Sequence, residues 1–200
     1  MVTSSGVLGA YGHSWVYGTG ARAHSEGFAV LAARELGLDL NNHAASGSLS
    51  TETARLVTAQ APEPADVFVV MTGFNDARLY GAAPAGRRQY EDSLEVLFRA
   101  LHKADPKALL LAIEQPYVED YSGHSPYDRA TDTILDQYNA VLRAVVTALP
   151  FAATVVVDGW DARTMIAPDN VHPNDDGHAV LARAVVRAAR EREQPRKDVR

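Results

Sequence analysis

The sequence predicts an α/β chain built on a parallel sheet with helices on both faces. Two stretches, 66–71 and 109–113, carry unbroken apolar runs, the first from Val67 on, the pattern of strands covered on both sides. Strand-like and helix-like stretches alternate five times along the 200 residues, the order that joins parallel strands through helical crossovers. Ligands of such sheets bind beyond the carboxyl ends of the strands. The residues that follow each strand are therefore the ones to read for function.

Residues 6–10 read as the first strand, which breaks at Tyr11-Gly12-His13-Ser14-Trp15 into a turn holding Gly18 and Gly20. A helical face of Phe28, Leu31, Ala32 and Leu36 follows, with Ser25 as the expected N-cap and Gly37 as the stop. Residues 38–40 form a short second strand running into the polar turn Asn42-His43-Ala44-Ala45-Ser46-Gly47, then a helix over 49–60 that Pro62 and Pro64 end. The third strand, 66–71, leads into Gly73-Phe74-Asn75-Asp76 and an expected loop to about Gly86. Tyr90, Leu94, Leu97, Phe98 and Leu101 recur at helical spacing before the fourth strand, 109–113. The segment 114–130, rich in Tyr, Pro, Gly and Asp, lacks periodicity and has the length of a binding loop or lid. A helix through Ile134, Tyr138, Val141, Leu142, Val145 and Leu149, a fifth strand at 154–157, and a last helix capped by Asn174 or Asp175 complete the chain.

Composition narrows the partners. A hydrophobic content of 46% supports one core, read as a single domain over 1–190, with 191–200 as a charged, solvated tail. A net charge of −6 without an internal basic cluster argues against nucleic acid. With no cysteine there is neither a disulfide framework nor a thiolate metal site. No basic segment followed by an apolar run opens the chain, and no apolar run is long enough to span a membrane. The expectation is a soluble, cytoplasmic protein with no signal peptide; oligomeric state is not legible.

Chemistry concentrates at the five strand ends. Ser14 sits where the first strand enters a glycine-rich turn, which would hold its hydroxyl out of the sheet and leave nearby N–H groups open; an ordinary βα turn has the same composition. Asp169 and His172 lie three apart in an irregular turn, where the carboxylate can fold back on Nδ1–H and leave Nε2 free to take a proton from a serine. Pro173 disfavours a helical conformation at His172. The same four residues could be a plain helix-entry turn. Ser14 N–H, Gly47 N–H and the Asn75 side chain could hold a developing oxyanion, although Gly47 also suits a simple turn and Asn75 could be only a left-handed turn residue, with Asp76 capping the following segment. A metal at Asp169, His172 and His178 fits no familiar zinc spacing. Gly9, Gly12, Gly18 and Gly20 match neither a phosphate loop nor a dinucleotide fingerprint. No cofactor and no metal are expected.

Gly12 with Ser14, then Asn42, Ala44, Ser46 and Gly47, then Gly73-Phe74-Asn75-Asp76, then Asp169 with His172-Pro173-Asn174 and Gly177, together resemble the SGNH hydrolases, the GDSL-type esterases and lipases. The resemblance runs from the first strand to the last helix, with the blocks in the family's order. It implies a three-layer, flavodoxin-like fold with a five-stranded parallel sheet, a Ser14–His172–Asp169 triad, and an oxyanion hole completed by Gly47 and Asn75. The chain departs from the family at His13, where Asp is usual, which bears on hydrogen bonding in that loop. The implied activity is a serine esterase that forms an acyl-enzyme from an oxygen ester. The partner expected is a small-molecule ester, a small acyl group on a sugar or other small alcohol, because Tyr11, Trp15, Tyr17, Phe74, Tyr80, Tyr117, Tyr121 and Tyr127 all fall near the functional edge, although several of them could simply pack the loops together. An acyltransferase with the same triad, and a non-catalytic flavodoxin-like binding domain, are the alternatives.

Overall fold

A computed structural model describes residues 6–193. Five strands, β1 (Val7–Gly12), β2 (Asp39–Asn42), β3 (Val67–Met71), β4 (Leu109–Ile113) and β5 (Ala152–Val155), pair in the order β2-β1-β3-β4-β5. Every pairing is parallel. β3 is buried along its whole length and β4 nearly so, as their unbroken apolar runs require of strands at the centre of a covered sheet.

The helices among the described residues are α1 (Ser14–Tyr17), α2 (Phe28–Leu36), α3 (Ser50–Ala59), α4 (Phe74–Tyr80), α5 (Pro84–Ala104), α6 (Asp132–Ala148), α7 (Ala162–Met165) and α8 (Asp175–Glu193). α2 packs with α8 on one face, and α3, α5 and α6 pack together on the other. The core is one continuous cluster around Leu8, Phe28, Phe68, Phe98 and Leu181. In the strand order found here β2 is added on one side of β1 and β3 on the other, and the crevice at the carboxyl ends of β1 and β3, where the winding changes side, is where such sheets bind ligands. Register sets Gly12 beside Met71. A Cβ on Gly12 would lie 1.9 Å from the Met71 carbonyl oxygen, and its φ of +143° suits glycine, so this close approach fixes the residue type.

Several element bounds differ from the sequence reading. The segment after Asp76 is not a loop: α4 occupies it, and Pro84 opens α5 at a position where its missing N–H costs nothing. β5 begins two residues earlier than expected and β2 runs on to Asn42. Ser25 lies in a 3-10 turn (His24–Glu26), and Gly27 stands at the N-cap of α2. Gly37 ends α2 in the left-handed conformation, as expected. α8 continues through 191–193, and the rest of the expected tail, 194–200, lies outside the described residues.

Candidate active site

The Ser14 turn is a helix start rather than an open loop. His13 is the N-cap of α1, and its Nδ1 accepts the Trp15 N–H at 3.3 Å. Because Nδ1 accepts, Nε2 carries the proton and donates to Gln115 Oε1 at 3.0 Å. His13 is wholly buried. Burial drives its pKa down to about 3, the Gln115 bond offsetting only part of the effect. Gln115 itself is held by a reciprocal pair with Asn139 on α6, Gln115 N–H to Oδ1 at 3.0 Å and Nδ2 to the Gln115 carbonyl at 2.9 Å. The side chain that departs from the family pattern thus faces inward, away from any substrate, and ties the Ser14 turn to the end of β4.

His172 belongs to a loop closed by the Ile166–Pro173 bridge and by Ala167 N–H donating to the His172 carbonyl at 2.7 Å. Asn170 takes φ +60°, which Asn tolerates better than most residues. Asp169 Oδ1 accepts the N–H groups of Val171 at 3.0 Å and His172 at 2.9 Å, an Asx-type turn. Its Oδ2 accepts His172 Nδ1–H at 2.6 Å, and His172 Nε2 lies 3.0 Å from Ser14 Oγ. The acceptor-only carboxylate fixes the tautomer, so Nε2 presents its lone pair to the serine hydroxyl. Partial burial pushes Asp169 upward, but these hydrogen bonds outweigh it and hold the carboxyl below its ordinary range. Trp15, wholly buried, donates from Nε1 to the Val171 carbonyl at 2.9 Å and so fastens the His172 loop to the Ser14 turn.

The other two blocks meet at the same place. Asn42 Nδ2 donates to the Val16 carbonyl, and the Ala45 N–H and Ser48 hydroxyl donate to the Gly12 carbonyl, each at 3.0 Å, which draws the turn carrying Gly47 onto α1. Asn75 spends one amide N–H on the Ser48 carbonyl at 3.0 Å and keeps a second. Gly73, at φ +104°, passes so close to Tyr90 that a Cβ would come within 2.6 Å of the ring. Asp76 caps an earlier helix rather than the following segment: it accepts the Ser50 N–H at 2.9 Å and the Ser50 hydroxyl at 2.6 Å at the start of α3. Burial raises its pKa despite those bonds.

Ser14, Gly47, Asn75 and His172 line one pocket of about 260 Å³, together with Thr19, Ser46, Arg78, His124, Tyr127 and Val171. Asp169 stands behind His172. All five residues singled out from the sequence therefore converge. Ser14 N–H, in the first turn of α1, and Gly47 N–H have no protein acceptor among the described residues. Of the eight aromatic residues expected at this edge, Tyr127 alone lines the pocket; Tyr11, Trp15 and Phe74 are core. His178 faces α2 and the first loop, Nδ1 accepting the Phe28 N–H at 3.3 Å and Nε2 donating to the Thr19 carbonyl at 3.1 Å. Neither nitrogen is left to join His172 at a metal. The sequence reading missed Gln115, Trp15 as an anchor, Arg78 and His124. Only Arg78 left a usable signal, since it falls three residues after Asn75 on one helix face.

No curated protein matches the sequence. Among solved structures the chain is similar to a salicylyl-acyltransferase from a tetracycline biosynthetic pathway, with TM-score 0.75 and 20% identity over 98% of this chain and 57% of that one. It is similar to a lipase/acylhydrolase from Enterococcus faecalis, with TM-score 0.70 and 20% identity over 96% and 99% of the two chains. A family two carbohydrate esterase from Clostridium thermocellum superposes with TM-score 0.72 and 17% identity over 93% of this chain and 64% of that one. The chain thus spans little more than half the length of the first of these, and what the three share with it is the fold. The model of the GDSL-like Lipase/Acylhydrolase family matches residues 10–180, and with its sheet order and four motif blocks the chain belongs to that family.

Proposed function

We propose that the protein is a serine esterase that cleaves an oxygen ester of a small acyl group through an acyl-enzyme. The observation that carries this reading is the unbroken hydrogen-bonded chain Ser14–His172–Asp169 at the wall of the pocket. Ser14 Oγ attacks the ester carbonyl while His172 Nε2 takes its proton, and Asp169 stabilises the imidazolium that results. The charge that develops on the carbonyl oxygen is met by Ser14 N–H, Gly47 N–H and the second N–H of Asn75, a reading supported by the three residues lining one pocket. Collapse expels the alcohol, which takes the proton from His172. Water, activated by the same imidazole, then attacks the acyl-enzyme and releases the acid.

A pocket of about 260 Å³ favours a short acyl chain. The sugar or small-alcohol half of the substrate loses much of the support expected from aromatic loops, because Tyr127 is the one ring of the eight in the pocket lining and Tyr11, Trp15 and Phe74 are core. The test combines labelling with turnover. A fluorophosphonate should modify Ser14 alone, and Ser14→Ala should lose on the order of 10⁴-fold or more in kcat while unfolding at an unchanged temperature. Chromogenic esters of graded acyl length, with and without added alcohol, then define the acyl preference and the share of transfer over hydrolysis. Substantial ester cleavage by folded Ser14→Ala protein sinks the mechanism.

A further inference from the structure

Arg78 is a charged side chain with no ion-pair partner among the described residues. It is 5% exposed, lines the same pocket as Ser14 and Asn75, and lies on α4 one turn beyond Asn75. Of its five N–H groups, one makes a single long bond, Nη2 to the Gly123 carbonyl at 3.4 Å. No carboxylate comes within ion-pair distance among the described residues. The Phe74 ring at 5.2 Å and the Tyr127 ring at 5.9 Å lie beside the guanidinium. Rings stabilise a cation but accept no in-plane N–H bond.

A guanidinium buried without a counter-ion is costly, and folded proteins keep such a group where something else completes it. Thr72 Oγ1 is the only fully buried side-chain nitrogen or oxygen without a partner among the described residues. The unbonded nitrogens of Arg78 therefore border open space, which here is the pocket. A purely structural role, holding the 114–130 loop through Gly123, would use the one bonded nitrogen and leave the others unexplained.

Resting on the esterase reading, we propose that Arg78 recognises a carboxylate carried by the substrate, so that the pocket selects an anionic ester over its neutral isostere. The planar fork of N–H donors fits a carboxylate in bidentate fashion. A single negative charge suits the site better than a phosphate dianion. Asp128 and Asp169 already act on Arg78 at longer range, and a second negative charge would meet their repulsion.

Matched ester pairs test this. On the acyl side, 4-nitrophenyl hydrogen succinate and glutarate are compared with the corresponding neutral amides. On the alcohol side, 4-acetoxybenzoate is compared with 4-acetoxybenzamide. The wild-type protein should favour the carboxylate of at least one pair by tenfold or more in kcat/KM. Arg78→Gln should bring that ratio to about one or below, and Arg78→Lys should restore part of it. Equal or inverted ratios in all pairs for the wild type overturn the proposal, as does a ratio that survives Arg78→Gln. Binding to Ser14→Ala protein, followed by NMR, separates this from the esterase reading. Monomethyl glutarate should bind, its neutral amide should bind at least tenfold more weakly, and adding Arg78→Gln should erase the difference. Discrimination in binding without turnover of any ester condemns the esterase reading alone, whereas turnover without discrimination condemns the role of Arg78 alone.

Discussion

Replacing His13 by Asn should weaken the fold while sparing catalysis, and the weakening should fade as the solution is acidified. Asn can still cap α1, since it accepts an N–H as His13 Nδ1 does. It cannot reach Gln115 Oε1, which lies 3.0 Å from His13 Nε2 in a buried setting. Losing that donor costs about 1–3 kcal/mol, and the space left by the ring adds about 1 kcal/mol, so the variant should be less stable by about 2–4 kcal/mol at pH 7. The pH signature follows from the depressed pKa. The native imidazole stays neutral down to about 3, whereas the unfolded chain takes up a proton below 6.5. Stability due to His13 is therefore full above 6.5 and is lost as pH falls through the window from 6.5 to 3, by about 1.4 kcal/mol per unit. Between pH 7 and 5 the wild type loses about 2 kcal/mol from this source that the variant cannot lose. Contributions from His178 and Asp76 are common to both proteins and cancel in the difference. Urea unfolding at pH 7, 6 and 5, followed by tryptophan fluorescence and far-UV circular dichroism, reads the gap directly. A gap that stays constant from pH 7 to 5 refutes the reasoning, because His13 would then titrate alike in both states. In the same samples kcat should stay within about tenfold, while His172→Asn should cost several orders of magnitude.

Other expectations follow from the same geometry. Asn75→Ala should lower kcat by roughly 10²–10³ with a smaller change in KM, and should also cost about 1 kcal/mol of stability through the lost bond to the Ser48 carbonyl; an effect on KM alone would make Asn75 a ground-state binder. Trp15→Phe leaves the Val171 carbonyl without its donor at the base of the His172 loop, so steady-state kinetics should show kcat falling more than KM, with a stability loss of about 1–3 kcal/mol by urea titration. Turnover should persist after exhaustive chelation, and a loss restored by a divalent ion would return a metal to the mechanism.

What was legible in the sequence was local in the chain. Asp169 and His172 stand three apart, so their contact could be read from spacing, and the oxyanion candidates could be placed because each follows a strand of one parallel sheet. What escaped was set by packing across the chain. The His13–Gln115 bond joins residues 102 apart and the Trp15–Val171 bond residues 156 apart, and no periodicity encodes either. Arg78 was missed for a different reason: taking 77–86 as loop removed the helical register that sets Arg78 beside Asn75. His13 shows most clearly how packing assigns a role that residue type leaves open. From the sequence it was a second imidazole beside a candidate nucleophile. At a position with no exposed surface, an aspartate would bring a charge into the core with its desolvation cost. A neutral imidazole meets the same two needs without that charge, accepting from Trp15 and donating to Gln115. The departure from the family pattern therefore belongs with the exchange of a buried anion for a neutral donor–acceptor bridge, and in the proposed mechanism the proton transfer is assigned to His172, whose Nε2 lies 3.0 Å from Ser14 Oγ.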